Sequence, residues 1–327
     1  MNDPEVTILM PAFNAGRFIG ASIRSVLRQE FGNFELLVID DGSTDDTAAV
    51  VESAGDPRVR LLRHETNRGL VATLNEGLHA ARAPLVARQD ADDLGRRDRL
   101  ARQVRYLRSH PDDAAVGAEA DLIDERGRHR GALRLPRTRA QLRWDLCFRN
   151  PVPHSSVMLR RREILEEFGG YPDSIASEDY RLWSRLAAAD RFGLIPRRLV
   201  SYRIHASSVM MSGADGNADI DRIRRDNMDA VLGDLTDEAQ REVLLGAWSD
   251  PASLEWGSYV EAFEAAAAVF ARCHGNLGSV PGIEYQTLLA RGAPSPMLLF
   301  NALRRFAPQR LPNLPWHRIL AAEFLRR

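Results

Sequence analysis

A chain of 327 residues with 44% hydrophobic and 27% charged side chains is long enough for a sizeable core in one or two domains. Its formal net charge of −1 excludes a strong global field aimed at nucleic acid or a membrane surface. All 44 cationic side chains are arginine, which excludes mechanisms built on a Schiff-base lysine or a phosphate-loop lysine.

The first hundred residues alternate between two periods. Residues 6–10 form an apolar run, a buried strand that Pro11 is expected to stop. Phe18, Ile19, Ser22, Ile23, Val26 and Leu27 then recur at helical spacing. Leu36, Leu37, Val38 and Ile39 form a second buried run that ends in "DDGSTDDT". There Gly42 allows a tight turn, and Ser43 with Asp46 predicts a helix start of the capping-box kind. Residues 59–62 predict a third strand, and Leu70, Leu74 and Leu78 mark another helix. "APLVARQDADD" (83–93) supplies a fourth strand that runs straight into Asp90, Asp92 and Asp93. Strand–helix alternation of this kind predicts an α/β fold with parallel strands and helices on both faces.

From about residue 98 the pattern changes. Leu100, Val104 and Leu107 suggest a helix, "LIDERGRHRG" (122–131) a turn or hairpin, and "HSSVMLRR" (154–161) a strand leading into a helix. "GGYPDSIASEDYRLWSRL" (169–186) is a glycine-rich loop before a helix starting near Glu178, and "RLVSYRIHASSVM" (198–210) a strand and loop. After about residue 213 the chain is expected to be mainly helical, with Pro-rich breaks near 281 and 308–315. A domain over 1–213 is therefore expected, with a change of pattern near 100, followed by a helical region over 214–327.

In open α/β sheets, ligands bind beyond the carboxyl ends of the strands. Three polar clusters fall at such ends: "PAFN" (11–14), "DDGS" (40–43) and "DADD" (90–93). Three carboxylates in four positions repel one another and raise each other's pKa. A hard divalent cation offsets that repulsion, because Mg²⁺ or Mn²⁺ takes oxygen ligands and commonly one or two carboxylates plus phosphates. A solvated surface cluster is the bland alternative for any Asp-x-Asp taken alone.

The stretch "VTILMPAFNAGRFIGASIRSVLRQEFGNFELLVIDDGSTDDT", followed by "NRGLVATLNEGLHAARAPLVARQDADD", closely resembles the family 2 glycosyltransferases. The resemblance covers residues 5–100 and continues more loosely to about 210, which implies a nucleotide-binding half over about 1–100 and an acceptor half over about 101–213. It implies the GT-A fold, a Rossmann-like mixed sheet with helices on both faces. It also implies inverting transfer of a sugar from a nucleotide diphosphate donor, usually a UDP-sugar, with Mn²⁺ or Mg²⁺.

The resemblance also implies residue roles. Pro11, Ala12, Phe13 and Asn14 would line the nucleoside pocket. Asp40 would accept a hydrogen bond from the base, with Asp41 in support. Arg68 in "NRG" would lie near base or phosphate, and Asn75 would face the same pocket. Asp90, with Ala91 beside it, would lie on the ribose side, Asp92 would bind the metal and Asp93 would support it. "SEDYRLWSRL" resembles the family's Glu-Asp motif, which makes Asp179 the general base and Glu178 its neighbour. His205 in "SYRIH" stands where relatives often have a histidine near the metal. His154 in "NPVPHSSVM" is a candidate acceptor contact or a hydrogen-bonded packing residue. Asp40, Asp41 and Ser43 have a second reading as helix-capping residues, Asn75 as a solvated helix position, and Glu178 and Asp179 as acids favoured by a helix N-terminus.

Processive members of the family carry Gln-x-x-Arg-Trp after the Glu-Asp motif. Here "QLRW" (141–144) is one residue short and precedes it, so transfer of a single sugar fits better. A sugar nucleotidyltransferase or a dehalogenase-type phosphatase would need a lysine the chain lacks. A catalytically degenerate module that only binds sugar nucleotides is the remaining alternative. The expected partners are a nucleotide-sugar donor and a saccharide or glycolipid acceptor, with no nucleic acid. Two distant cysteines, Cys147 and Cys273, fit a reducing cytoplasm. No stretch approaches the ~20 apolar residues of a membrane span, and the N-terminal apolar run is too short for a signal peptide. "LPWHRILAAEFLRR" (314–327) mixes apolar residues with arginines, so membrane-surface contact, a homodimer contact and simple packing all stay open for the C-terminal region.

Overall fold

The computed structural model describes residues 3–172, 177–205, 218–233 and 238–249, with some helical residues between 262 and 273. The chain divides into two compact units, residues 1–142 with 150–214, and residues 143–149 with 215–327.

The first unit starts with four strands, β1 (Val6–Ala12), β2 (Phe34–Asp40), β3 (Val59–Arg63) and β4 (Leu85–Arg88), joined by parallel pairings. Five more complete the sheet: β5 (Leu94–Gly95), β6 (Ala115–Ile123), β7 (His129–Leu133), β8 (Met158–Arg160) and β9 (Phe192–Arg203). The order is β3-β2-β1-β4-β8-β6-β9-β5, with β7 paired to β6. β8 runs antiparallel to both β4 and β6, whereas β6 and β9 are parallel. The hairpin expected at 122–131 is the β6–β7 pair.

Side-chain alternation along β1 explains why both faces carry helices. Val6, Ile8 and Met10 share one buried cluster with Ile19, Ile23 and Val26 of α1 (Gly16–Leu27) and with Leu100, Val104 and Leu107 of α4 (Arg99–Ser109). Leu9 points the other way, under α3 (Leu70–Ala80). A Cβ on Gly77 of that helix would come within 2.3 Å of the Leu9 side chain, so only glycine lets α3 sit this close.

Pro11 does not stop β1. The strand continues to Ala12, with Pro11 opposite Ile39 of β2. Pairing with β4 has already ended at Leu9–Arg88, so Pro11 lies where β1 has a neighbour on one side only. The strand order reverses between β1 and β4, and the two strands part at their carboxyl ends. That is the crevice in which α/β sheets bind ligands.

Ser43 and Asp46 do not cap the helix that follows, α2 (Thr47–Glu52). The Thr47 N–H is taken by Asp45 Oδ1 at 2.9 Å, and the Ser43 hydroxyl accepts the Asn14 N–H instead. These polar residues tie the second strand end to the first rather than closing a helix on itself.

Among the described residues the further helices with assigned bounds are α5 (Arg139–Leu146), α6 (Arg161–Glu166), α7 (Glu178–Ala188), α8 (Ala218–Leu232) and α9 (Glu238–Ser249). In the second unit, Arg224 of α8 donates to the Phe148 carbonyl at 2.8 Å, and Asn227 to the Leu146 carbonyl at 2.6 Å. Trp144 stacks edge-on against Phe270 at 5.3 Å. The 143–149 segment is therefore held by α8, which follows it by some eighty residues. Among the described residues no helix is long and apolar enough to cross a membrane. The Pro-rich breaks and the 314–327 segment lie outside the described residues.

Candidate functional site

The tips of β1 and β2 are laced together. Asn14 adopts a left-handed backbone (φ 49°), and its Oδ1 accepts the Thr44 N–H at 2.9 Å. The Asp41 N–H donates to the Ala12 carbonyl at 2.8 Å, and Asp45 Oδ2 accepts from the Gly16 N–H. Gly42 has φ +75°, and a Cβ there would meet the Thr66 carbonyl carbon at 2.6 Å. The turn and the 64–69 loop thus need glycine at this point. Pro11 and Ala12 are buried, while Phe13 is 50% exposed at the mouth of the crevice.

Asp40 and Asp41 differ in what they hold. Asp40 is 1% exposed and accepts the Ser43 N–H at 3.0 Å, with Arg63 Nε 3.5 Å away. Asp41 accepts the Arg68 and Gly69 N–H groups, each at 2.9 Å, and His64 Nδ1 lies 2.6 Å from its Oδ1. Burial alone would raise its pKa, but His64 and the two N–H groups outweigh that and keep the carboxyl below its ordinary value. Arg68 turns its guanidinium to Glu76 at 2.6 Å. Asn75 uses both ends of its amide on the Tyr171 main chain: Nδ2 donates to the carbonyl and Oδ1 accepts the N–H, each at 2.8 Å. Asn75 thus clamps the glycine turn that leads towards the Glu-Asp pair.

The three aspartates after β4 have different surroundings. Asp90 accepts from Arg88 Nη2 at 2.6 Å and from the Ser155 hydroxyl at 2.6 Å. Burial raises Asp90, yet the Arg88 charge prevails and holds it below the usual carboxylate range. Asp92 is pushed up by burial and by Asp90. Its Oδ2 lies 2.7 Å from His205 Nε2. Asp93 is 1% exposed, and its Oδ1 accepts the Arg203 N–H at 2.7 Å while Oδ2 has no partner. Burial, then Asp90 and Asp92, drive Asp93 far above its ordinary value. The crowding is relieved largely within the protein, by the Arg88 guanidinium on Asp90, the His205 imidazole on Asp92 and a raised pKa at Asp93. Ala91 packs into the core between them.

His205 reaches Asp92 because β9 delivers it. Arg203 at the end of β9 donates from Nε to the Asp92 carbonyl at 2.8 Å, and the His205 ring stacks on Phe18 at 5.3 Å. A carboxylate oxygen and an imidazole nitrogen thus meet at a side chain, Asp92, that is still 29% exposed. That donor pair suits Mn²⁺ or Mg²⁺ with substrate oxygens completing the shell. Among the described residues no cluster of three or more His, Cys, Asp or Glu side chains is set to hold a metal.

Glu178 and Asp179 open α7. Asp179 Oδ2 accepts the Asn150 amide at 3.0 Å, and Oδ1 accepts the Tyr180 N–H. Burial first, then Glu178, push the Asp179 pKa up to about 7. Glu178 is raised as well, by burial. His154 is buried, with Nε2 3.0 Å from the Tyr171 hydroxyl and its ring edge-on to Trp183 at 5.7 Å. Burial and the Arg88 charge keep it neutral. Its contacts match the hydrogen-bonded packing alternative.

Sequence reasoning missed Arg88, Asn150, Ser155 and His64. Arg88 carried a signal, a lone arginine in an apolar strand two residues before an aspartate. Asn150, in "RNPVPH", carried none, because it meets Asp179 only across the fold.

The family model described as glycosyl transferase family 2 matches residues 7–169. Escherichia coli WfgD, a UDP-Glc:alpha-D-GlcNAc-diphosphoundecaprenol beta-1,3-glucosyltransferase, is 40% identical over 107 residues, 33% of this chain and 42% of that protein. The chain thus matches less than half the length of that relative. TarS 1–349 of S. aureus, solved with UDP-GlcNAc, superposes with a TM-score of 0.58 at 15% identity, over 86% of this chain and 92% of that one. Mannosyltransferase PcManGT of Pyrobaculum calidifontis, solved with GDP-Man and Mn²⁺, gives 0.51 at 22% identity, over 95% and 83%. These superpositions show the fold, the GT-A arrangement that the motifs implied. The family model spans all three strand ends, and the domain that carries them belongs to the family 2 glycosyltransferases.

Proposed function

We propose that this enzyme transfers one sugar, with inversion, from a nucleotide diphosphate sugar to a hydroxyl of a saccharide or lipid-linked acceptor. The observation that carries the proposal is a pair of carboxylates with different partners: Asp92 beside the His205 imidazole, and Asp179 beside the Asn150 amide. An inverting displacement needs a base for the incoming hydroxyl and positive charge for the outgoing diphosphate. Asp179, at about 7, is half-ionised near neutral pH, where a general base works best. It takes the acceptor proton as the acceptor oxygen bonds to the anomeric carbon and the bond to the diphosphate oxygen breaks. Asn150 and the Tyr180 N–H hold its two oxygens in place.

Asp92 and His205 would hold a divalent cation. When bound, that cation supplies Lewis-acid neutralisation of the diphosphate. Asp40 keeps one oxygen with only a long contact to Arg63, which suits it to accept a base N–H. A UDP-sugar donor is supported by the name of WfgD and by the ligand of TarS. A lipid-linked acceptor is supported by the name of WfgD, and it would bring the enzyme to a membrane face. The test is release of UDP or GDP from a panel of nucleotide sugars with Mn²⁺, alongside nucleotide binding with and without metal. Metal-dependent binding and release, with release lost in Asp179→Asn, are expected. Absence of metal-dependent nucleotide binding would sink the proposal.

A further inference from the structure

A second concave site lies on the first unit, lined by none of the residues of the three strand-end clusters. It is a cleft of about 510 Å³ lined by five arginines and two carboxylates. Three different elements build it. Arg96 follows β5, Arg134 follows β7, and Arg197 comes from within β9. The last is placed by a bulge. Along β6, Ala118 pairs with Ile195 and the next residue, Glu119, with Arg198, so two residues of β9 are extruded. They are Pro196, which has no N–H to lose from the ladder, and Arg197.

The cationic excess is real after pairing. Arg102 is matched by Asp98, Arg198 by Asp121 at 2.7 Å, and Glu119 by Arg137 at 3.2 Å. Arg96, Arg134 and Arg197 make no ion pair and no side-chain hydrogen bond among the described residues. Arg96 exerts only a longer-range pull on Asp98. Three exposed, unmatched guanidinium groups therefore converge on one cleft of a chain whose overall charge is −1. A concave wall focuses such a field. The identity of the cations says nothing, since the chain has no lysine, but their convergence does. The near-neutral remainder of the chain argues against an extended polyanion and for one compact anionic group. Guanidinium forks match phosphate oxygens in pairs.

We propose that this cleft binds a phosphate group, in the form of an anionic phospholipid headgroup, and seats the enzyme at a membrane surface. Arg96 lies four residues from Asp92 along an extended segment, at most about 13 Å, so docking there keeps the strand-end site close to the bilayer. The choice of a bilayer rests on the lipid-linked acceptor proposed above, whereas the phosphate site itself does not.

The 327-residue chain, saturated with UDP to block the strand-end site, is sedimented with phosphatidylcholine vesicles with and without phosphatidylglycerol, and titrated with inorganic pyrophosphate. Association with anionic vesicles is expected to fall about fivefold for each arginine removed in Arg134→Gln and Arg197→Gln, and to weaken with salt. UDP binding and melting temperature stay at the parent values, since both side chains are exposed. Pyrophosphate binding with the same arginine dependence, but no vesicle binding, would keep the phosphate site and overturn the membrane source. If neither probe responds to the double variant, the site is overturned, whatever becomes of sugar transfer.

Discussion

Asn150 donates its amide to Asp179 at 3.0 Å, across twenty-nine positions of sequence. The bond joins the loop after α5 to the first turn of α7. It fixes one oxygen of the candidate base while the other is held by the Tyr180 N–H. The Asp179 carboxyl titrates near 7, so kcat/KM is expected to rise with pH through that value and level off above it. Asp179→Asn should lower kcat by about 10²–10⁴-fold and leave nucleotide affinity nearly intact. The sign for stability is opposite. A carboxyl raised in the folded state stabilises at low pH, and that contribution fades as pH rises through about 7. At pH 8 the asparagine variant should therefore melt higher than the parent. Retained transfer in Asp179→Asn would remove it as the base.

Asn150→Ala tests the partner. The lost hydrogen bond favours the neutral carboxyl, so the pH midpoint of kcat/KM should move upward. A drop in kcat of about tenfold is expected from a less well oriented base, with KM for the donor little changed. An unshifted pH midpoint would reduce Asn150 to a packing residue.

Arg88 is the buried charge on which the aspartate cluster depends. It is 2% exposed, its Nη2 holds Asp90, and its Nε and Nη1 have no partner. Breaking one side of such a pair typically costs about 3–5 kcal/mol. Arg88→Met should therefore lower the melting temperature strongly. The same charge also pulls Asp179 downward, so the variant's pH midpoint should rise above about 7. Asp90→Asn should lower the melting temperature at least as much, because it leaves the buried Arg88 guanidinium, which cannot lose its charge, without a carboxylate. A pH midpoint that does not move in Arg88→Met would deny any electrostatic link to the base.

The residues that were legible are those whose signal is local. Apolar runs and helical spacing give β1 to β4 and α1, α3, α4 and α7, because each buries a face set by its own period. Pro11 misled, since its effect depends on where β4 stops pairing, which no local pattern records. Ser43 misled because its hydroxyl accepts from Asn14 rather than from its own helix. The antiparallel half of the sheet and the placement of residues 143–149 depend on pairings between distant segments. At the site, charged motifs stood out as clusters in sequence. Their counter-groups Asn150 and His64 did not, because each takes its role from a neighbour brought in by the fold, and Arg88 showed only as a lone arginine in an apolar strand.

The Asp92–His205 pair separates metal binding from chemistry. Both side chains meet at 2.7 Å with Asp92 partly exposed, so a cation can displace their mutual contact. Asp92→Ala should abolish the gain in UDP affinity that Mn²⁺ provides and leave metal-free affinity unchanged. His205→Ala should reduce that gain without removing it, because a carboxylate alone remains a ligand for hard cations. Chelation by EDTA should bring the parent down to the Asp92→Ala level in calorimetric titration. If Mn²⁺ raises UDP affinity equally in the parent and in both variants, the cation binds elsewhere and the pair serves only to anchor β9 against β4.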